Sequence, residues 1–504
     1  MPFMLRMSAS ALQFGIWTRA LFAPALVFIA TARSRGYQTD FWHHLARGRA
    51  MVESGGLVNH DLATYTVPGA TFQDTNWLPQ LLYFYLFSLG GLDLVQVLNS
   101  LVLAGMMGLL VWLCWRQCRS LMLSGAVGVF TFFGLWQLLI IRPQTFSLLF
   151  FVALQAVLEL AERRRGWLLL PPLIMALWVN VHGGFPVGLA VIGCYGLAAG
   201  LEAIWRRGRA AIRDSRVWSL AACLAVSIAA TCLNPYGWRV IQYVGVTSSA
   251  ATARHIDEWL APGLDQLVGV ILVASVVLLF VLFALPGARP RVREVCLIAC
   301  FLPFAVGSAR MIAWWLLVTA PIIARLLAAN LPAWLLREEK PQKSSLIEGL
   351  IFAALLLAIV LNVPGWTRFN PLAGTGRSLH RPEDDLEKMC QQLAKRDGGR
   401  IFSRFEWSEY FGWALAPRSK VFMDARIEIF PDEIWREYSA LTRGRADWQE
   451  LLDRYQVDYL VLDITGYHAE LLPQVERSPL WEPVYQAGHG VLFVRRDAQA
   501  NRSK

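Results

Sequence analysis

The stretch from residue 39 to residue 80 carries the side chains best suited to acid–base chemistry at a membrane face. It is the longest polar interruption in the first 360 residues, and it directly follows the first apolar run. Its ionisable side chains include three aspartates and three histidines: Asp40, Asp61, Asp74, His43, His44 and His60. A carboxylate placed there can take the proton of an acceptor hydroxyl, a general-base role worth about 10²–10⁴-fold in rate. We predict Asp40 as this base, because it lies immediately after the apolar run.

Polar residues in the outer connections between later apolar runs, including the long loop 234–263, could complete such a site. We predict Arg142, Arg254 and Arg310 as the groups that bind a leaving phosphate, since guanidinium groups pair strongly with phosphate oxygens. If that phosphate belongs to a lipid, the site must lie at membrane depth. The other residues that we predict to line this polar cavity are His43, Asp61, Asp74, Asn180, His182, Asn234, His255 and Glu258.

Each of these side chains also has an ordinary structural explanation as a helix-end anchor, a cap or part of a turn. Asp61 could begin a turn, and Asp74 could cap the apolar segment 78–90. His43 and His44 are adjacent, so they point about 100° apart on a helix and make poor joint metal ligands. The pattern therefore requires no cofactor, and a divalent metal is left open.

The composition indicates a membrane protein. The 504 residues are 56% hydrophobic, with a mean hydropathy of +0.42, and 17% of them are charged, compared with roughly 25% in soluble proteins. Apolar runs of about 17–22 residues recur up to residue 364, as in polytopic helical membrane proteins. The net charge of +10 lies mostly in short loops, where Lys and Arg set topology. It therefore does not indicate a nucleic-acid partner.

Eleven membrane spans are predicted, and the basic loops orient them. Segment 78–90 is too short to cross about 30 Å comfortably, so we predict a re-entrant or interfacial helix there. All five basic loops then face the cytoplasm, as the positive-inside rule requires. This places the N-terminus inside, and loop 33–93 and the C-terminal domain outside. The predicted spans are 12–32, 94–115, 121–141, 145–161, 167–181, 184–205, 217–233, 264–285, 294–309, 312–331 and 346–363.

The expected domains are a membrane domain over 1–364 that includes outer loop 33–93, a linker over 365–380, and a small soluble α/β domain over 381–504. Asp424, Arg426 and Glu428 are predicted to form a solvated or salt-bridged loop after a strand of the last domain. That domain has a single cysteine, so we expect no internal disulfide. Its predicted strands are 400–403, 420–424, 457–463, 482–486 and 490–496, and its predicted helices are 405–415, 431–441 and 446–455.

Several motifs along the chain resemble a known family. They are DFWHHLARG (40–48), RPQ (142–144), NVHGG (180–184), NPYG (234–237), the E-W-x-x-Y element Glu406–Tyr410 and the D-x-R element Asp424–Arg426. Together they resemble the GT-C superfamily of polyprenyl-phosphate-dependent glycosyltransferases, in a bacterial branch of membrane proteins. Protein O-mannosyltransferases and lipid A aminoarabinose transferases are more distant relatives.

The resemblance implies a polytopic GT-C-like enzyme of the bacterial inner membrane, acting on the periplasmic or extracellular side. It implies a polyprenyl-phosphate sugar donor, an acceptor that is a glycan, a lipid or a protein, and inverting transfer. In the better-understood relatives the presumed base is an acidic residue of the first outer loop, and Asp40 matches that position. Many of them have an Asp-Glu pair there. Here Phe41 follows Asp40, so the second carboxylate is missing. This favours a site that relies on Arg142 rather than on a metal ion.

Two other classes of function remain as alternatives. A transporter or flippase of a lipid-linked glycan would need charged residues in mid-span and pathways to both faces, whereas the polar groups here cluster on one face. A non-catalytic glycan-assembly subunit would act through the α/β domain. A ligase-like variant of the transferase would place its chemistry on loop 234–263, with Arg254 and His255 more important than Asp40.

Overall fold

A computed structural model describes residues 14–34, 40–136, 140–254, 256–332, 336, 345–366 and 382–496. The first part of the chain is helical. In chain order, its helices are α1 (Phe14–Ala32), α2 (Phe41–Ser54), α3 (Trp77–Cys118), α4 (Leu121–Leu135), α5 (Gln144–Ala161), α6 (Leu170–Trp178), α7 (Pro186–Arg207), α8 (Ser215–Ala230), α9 (Arg239–Ala253), α10 (Leu267–Ala284), α11 (Val292–Gly307), α12 (Ile312–Asn330) and α13 (Leu346–Leu361).

Helices coincide with all eleven predicted spans. By length and composition, six described helical segments are long and apolar enough to cross a bilayer, and four more are apolar but shorter. A helix satisfies its backbone polar groups internally, which is why such apolar segments fold this way in lipid. The prediction of a polytopic helical membrane protein is confirmed. The number of crossings stays a prediction.

Helix α3 is 42 residues long and is interrupted near its first third. Gly90 and Gly91 have non-helical backbone angles, and Gly91 has a φ of 63° and a ψ of −161°. This conformation is open to glycine but strained for other residues. The segment predicted over 78–90 is therefore the first part of α3, ending at the glycine pair. Its re-entrant or interfacial placement stays a prediction.

The chain divides into two compact units. The helical unit comprises the described residues of 1–34, 89–240 and 252–376, and the mixed unit comprises those of 35–88, 241–251 and 377–504. The mixed unit thus combines most of the first polar loop with the C-terminal segment. The domain boundaries at 364 and 381 stay predictions.

A five-stranded sheet forms the centre of the C-terminal segment, confirming the predicted small α/β domain. Its order is β2-β1-β3-β5-β4, with β1 parallel to β2 and β3, and with β5 antiparallel to β3 and β4. The core of this segment includes Phe402, Leu460 and Phe493, all fully buried. The strands are β1 (Gly399–Ser403), β2 (Ser419–Val421), β3 (Tyr459–Asp463), β4 (Trp481–Ala487) and β5 (Gly490–Arg495). The helices around them are α14 (Pro382–Ala394), α15 (Phe405–Leu415), α16 (Asp432–Thr442), α17 (Trp448–Arg454) and α18 (Leu472–Arg477).

Helix α2 packs within the mixed unit, against α15 and the start of α3. The ring of Trp42 meets that of Tyr410 edge to face, with 4.7 Å between centroids. Gly48 allows the close approach to α3, because a Cβ there would collide with the main-chain oxygen of Gln80. The helix ends at Gly55, which is left-handed at a φ of 69° and donates its N–H back to the last turn.

Candidate functional site

Asp40 stands at the N-terminus of α2 and is half-buried. The helix dipole places partial positive charge at this end, which favours a carboxylate over a neutral group. The two residues that follow fix the helix in place. Phe41 is fully buried and contacts Tyr83 and Phe87, with ring centroids 6.0 and 6.3 Å apart. Asp40 is therefore mounted on a rigidly packed element.

Asp61 lies in a buried ion cluster. Its carboxylate accepts hydrogen bonds from the Thr64 hydroxyl at 2.8 Å and from the Thr64 main-chain N–H at 3.1 Å, so it forms a turn. It also pairs with Arg426, whose Nη2 lies 2.6 Å from Asp424 Oδ2. Burial opposes the charge of Arg426, but the two carboxylates outweigh it and raise the pKa of the guanidinium. The D-x-R element is thus salt-bridged and buried.

Asp74 is held by a second buried cation. Its carboxylate accepts from Arg47 Nε at 3.2 Å and from Gln80 Nε2 at 2.8 Å. Arg47 also donates to the main-chain oxygen of Val58. Burial lowers the pKa of Arg47, and Asp74 partly offsets this effect. The guanidinium groups of Arg47 and Arg426 lie over the same ring, that of Phe72, at 4.3 and 5.1 Å from its centroid.

His43 stands beside these two cations. Burial, then the charges of Arg426, His44 and Arg47, hold its pKa well below the ordinary histidine value. His43 is therefore neutral at pH 7. His44 is buried, with its Nδ1 3.3 Å from Gln80 Nε2. Across the described ranges, no group of three or more His, Cys, Asp or Glu side chains is arranged to hold a metal ion.

Glu428 forms a hydrogen bond with segment 241–251, which also belongs to the mixed unit. The Tyr243 hydroxyl donates to Glu428 Oε1 at 2.6 Å. Burial raises the pKa of Glu428, although the Tyr243 hydrogen bond and the charge of Arg426 act in the opposite direction. The sequence pattern did not indicate a partner for Glu428, since Tyr243 is 185 residues away.

In the helical unit, the structure brings together three residues that were predicted for the site. Arg142 Nη1 lies 3.0 Å from Glu258 Oε2, and Arg310 Nη1 lies 2.5 Å from Glu258 Oε1. All three side chains are partly exposed, at 17%, 19% and 28% for Arg142, Arg310 and Glu258. Arg254 directly follows α9 and is half-buried. His255 lies outside the described residues.

His182 is placed by its own turn and by α5. The N–H of Gly184 donates to His182 Nδ1 at 3.0 Å, which makes Nδ1 an acceptor. The Ser147 hydroxyl lies 3.0 Å from the same nitrogen and accepts from Trp178 Nε1 at 2.7 Å. Since Nδ1 accepts, the proton of a neutral ring resides on Nε2.

Asn180 and Asn234 form hydrogen bonds that shape their loops. Asn180 Nδ2 donates to the carbonyl oxygen of Leu233 at 2.8 Å. Asn234 Nδ2 donates to the carbonyl oxygen of Gly237 at 2.9 Å, while its Oδ1 accepts from the N–H of Tyr236 at 2.7 Å. The N-x-HGG and NPYG motifs therefore carry turn-forming amides.

Sequence reasoning missed Arg47 and Arg426 as central residues. A signal was present in both cases. Arg47 lies on the buried stripe of α2 together with His44 and Met51, so a charge there required a partner. Arg426 follows Asp424 by two residues, at the end of a predicted strand.

Comparison with known proteins gives matches in structure but not in sequence. No protein-family model matches the chain, and no curated protein matches its sequence. Solved structures do match it. The oligosaccharyltransferase of Archaeoglobus fulgidus, tethered to an acceptor peptide, is 12% identical with a TM-score of 0.54, and the match covers 95% of this chain and 74% of that one. This enzyme, AglB, has also been solved with an inhibitory peptide and a dolichol-phosphate.

Two bacterial enzymes match as well. ArnT from Cupriavidus metallidurans, bound to undecaprenyl phosphate, is 12% identical with a TM-score of 0.51, covering 95% of this chain and 97% of that one. The mycobacterial arabinofuranosyltransferase AftD is 16% identical with a TM-score of 0.55, covering 97% of this chain but 40% of that one. Such identities establish the fold alone. The chain has the GT-C fold of the membrane glycosyltransferases.

Proposed function

We propose that this protein is a membrane glycosyltransferase that moves a sugar from a polyprenyl-phosphate donor to an acceptor on the outer face of a bacterial inner membrane. The GT-C fold supports this proposal, because AglB and ArnT share it and were solved with dolichol-phosphate and undecaprenyl phosphate. The N-terminus is cytoplasmic, and the C-terminal domain is periplasmic or extracellular. The basic loops support this orientation.

Asp40 is the catalytic base of this proposal. The observation that carries it is the contrast among the three aspartates of the first loop. Asp61 and Asp74 are 3% and 5% exposed and are held by Arg426 and Arg47. Asp40 is half-buried at the start of an anchored helix. A base must come within hydrogen-bond reach of the acceptor proton, which the two buried carboxylates cannot do.

Arg142, Arg254 and Arg310 bind the donor phosphate in this proposal. Arg142 and Arg310 already converge on one anionic group, the carboxylate of Glu258. Two guanidinium groups that each bind one oxygen of the same carboxylate also suit a phosphate, which is an anion with more acceptor positions. The side chains of Arg142, Arg310 and Glu258 are all partly exposed. A phosphate can therefore replace the Glu258 carboxylate without opening of the protein core.

The transfer proceeds as a single displacement with inversion. The acceptor hydroxyl gives its proton to Asp40 while its oxygen forms a bond to the anomeric carbon. The bond between that carbon and the phosphate oxygen breaks, and the polyprenyl phosphate leaves with the electron pair. The arginines stabilise the charge that develops on the leaving oxygen, and this stabilisation lowers the barrier.

Replacement of Asp40 tests the proposal. Asp40→Asn keeps the shape of the side chain but cannot accept the proton, so transfer should fall by about 10²–10⁴-fold. The measurement is release of polyprenyl phosphate from a labelled polyprenyl-phosphate sugar, with purified protein in nanodiscs and cell-envelope extract as the acceptor source. Glu53→Gln is the matched control, since Glu53 is an exposed acid on the same helix.

Normal release by folded Asp40→Asn protein would overturn the assignment. Movement of the labelled lipid across liposomes without any sugar product would favour the transporter alternative.

A further inference from the structure

The sheet of the mixed unit has a topological switch point. From β1 the chain passes through α15 to β2, on one side of β1, whereas from β3 it continues to β4, on the other side. Strands β1 and β3 are parallel neighbours, so their carboxyl ends lie together. In open sheets with parallel strands, the crevice outside such a pair of strand ends is where ligands bind.

Polar residues of both strand ends meet at this point. Arg404 follows β1 and Asp463 ends β3, and Arg404 Nη1 lies 3.2 Å from Asp463 Oδ2. Arg404 also makes two parallel bonds to Glu406, at 2.9 and 3.2 Å. Its guanidinium lies 4.5 Å from the ring centroid of Tyr467. We name Arg404, Glu406, Asp463 and Tyr467 the strand-end cluster.

A row of aromatic rings extends from this cluster through pairwise contacts, and we call its partly exposed members, Phe405, Trp435 and Tyr467, the aromatic surface. The Tyr467 hydroxyl lies 3.2 Å from that of Tyr438, and Tyr438 accepts from the main-chain N–H of Phe405 at 2.9 Å. The ring of Phe405 lies 6.0 Å from that of Trp435. Polar groups beside partly exposed aromatic faces are the usual composition of a small-ligand site.

The charges of the cluster limit the class of ligand. Arg404 lies between two carboxylates. Burial acts to raise the pKa of Asp463, but bonds from Thr465 and Arg404 outweigh it and hold that pKa below the ordinary value. Glu406 and Asp463 raise the pKa of the Arg404 guanidinium in spite of its burial. Two carboxylates and one cation repel an anion, and a phosphate gains no unopposed positive charge.

His468 adds a hydrogen-bond donor beside the cluster. Its ring is fully buried, and Nδ1 accepts from the main-chain N–H of Asp463 at 2.9 Å. Burial lowers the pKa of His468 to about 4, so the ring is neutral and its proton resides on Nε2. Among the described residues, Nε2 has no hydrogen-bond partner. A buried donor of this kind requires an explanation, such as a bound hydroxyl or water.

We infer that the strand-end cluster and its aromatic surface bind an uncharged sugar unit of the acceptor. Sugar rings present apolar C–H faces that stack on aromatic rings, and hydroxyls that pair with carboxylates and guanidinium groups. This subsite is a second site, built from residues other than Asp40 and the three phosphate-binding arginines. It rests on the proposed function insofar as the ligand is an acceptor glycan.

Binding of defined oligosaccharides to the full chain in nanodiscs tests the subsite. The probes are cellohexaose, mannohexaose and arabinohexaose as uncharged sugars and a heparin hexasaccharide as an anionic one, with saturation-transfer NMR as the readout. At least one uncharged probe should bind saturably and more tightly than the anionic one. Arg404→Gln and Trp435→Ala should each weaken it at least tenfold.

The control variant is Arg495→Gln. Arg495 also lies over an aromatic ring, that of Trp481, and also pairs with an aspartate, Asp453, but on the β4–β5 side of the sheet. The Arg495→Gln variant should bind the uncharged probe as tightly as the wild-type protein does. Thermal unfolding of each variant identifies loss of fold, and Trp435→Ala covers the case in which Arg404→Gln does not fold.

Three results would overturn the subsite: no saturable binding of any uncharged probe, preference for the anionic probe, or wild-type binding by both folded variants. Asp40→Asn should keep full binding. If Asp40→Asn transfers sugar normally while the subsite variants lose binding, the proposed base fails and the subsite stands.

Discussion

The two units each contain an arginine–carboxylate cluster, and the clusters differ in exposure. In the mixed unit, the side chains of Arg426, Asp61 and Asp424 are 6%, 0% and 4% exposed. In the helical unit, Arg142 and Glu258 are 17% and 28% exposed. Breaking a buried pair leaves a charge without compensation, whereas an exposed pair is worth little. The buried cluster of the mixed unit is therefore suited to stabilise the fold. The partly exposed cluster of the helical unit is suited to exchange its carboxylate for a ligand.

The largest effect is expected from Arg426→Met. It leaves Asp61 and Asp424 buried without their cation, so the free energy of unfolding should fall by about 3–5 kcal/mol. Tryptophan fluorescence during denaturation of the purified chain measures this change. The control is Arg454→Met, because the Arg454 side chain is 61% exposed and its ion pair should contribute under about 1 kcal/mol.

Equal losses of stability from Arg426→Met and Arg454→Met would contradict a structural role for the buried cluster. A triple variant that adds Asp61→Leu and Asp424→Leu to Arg426→Met tests the same role from the other direction. Removing all three charges should recover most of the lost stability, since a well-packed apolar replacement of a buried cluster is often neutral or stabilising.

A smaller effect concerns pH. The pKa of His43 is held below its unfolded value of about 6.5 by burial and by the charges of Arg426, His44 and Arg47. As the pH falls below 6.5, His43 binds a proton in the unfolded chain but not in the folded chain. The folded state therefore loses stability relative to the unfolded state. In Arg426→Met, loss of one cation should raise the pKa of His43, as NMR titration of labelled histidines measures.

The signal of His43 is assigned by its disappearance in His43→Gln. That variant should also lose less stability than wild type between pH 7 and pH 5.5. An unchanged pKa of His43 in folded Arg426→Met would show that the buried cluster does not act on this ring.

The smallest change in stability is expected for Glu258→Gln. The side chains are partly exposed, so unfolding should change by less than about 1 kcal/mol. Affinity for undecaprenyl phosphate should rise, because a competing carboxylate has been removed from Arg142 and Arg310. Native mass spectrometry with that lipid measures the affinity. If Glu258→Gln lowered the free energy of unfolding by several kcal/mol, the cluster of Arg142, Arg310 and Glu258 would have the same structural role as the buried cluster.

Local patterns in the sequence were enough to predict most elements. The apolar runs marked the helices, and alternating strand-like runs marked all five strands, including β3. The helical periodicity of residues 40–54, followed by Gly55 and Gly56, also predicts a short helix, and the structure has α2 there (Phe41–Ser54). Three helices were not predicted. Helix α9 lies within the predicted loop 234–263, α14 begins at Pro382, next to the predicted linker, and α18 has only six residues.

Partners far apart in the chain could not be predicted, because periodicity reports only on neighbouring residues. Asp61 and Arg426 are 365 residues apart, and no local pattern relates them. The same limit explains α3. The apolar sequence continues through Gly90 and Gly91. The prediction separates a short helix over 78–90 from a span over 94–115, whereas helical residues resume immediately after the glycine pair.

The pairing of Asp61 with Arg426 also sets an order for biogenesis. Asp61 leaves the ribosome 365 residues before its partner, so at about 5–20 residues per second it waits roughly 20–70 s for that cation. During this interval most of the helical segments are inserted while the turn at Thr64 has no buried counter-charge. In a chain whose synthesis stops before the last strands, this loop would lack its folded packing partners. Quality-control proteases could then cleave it.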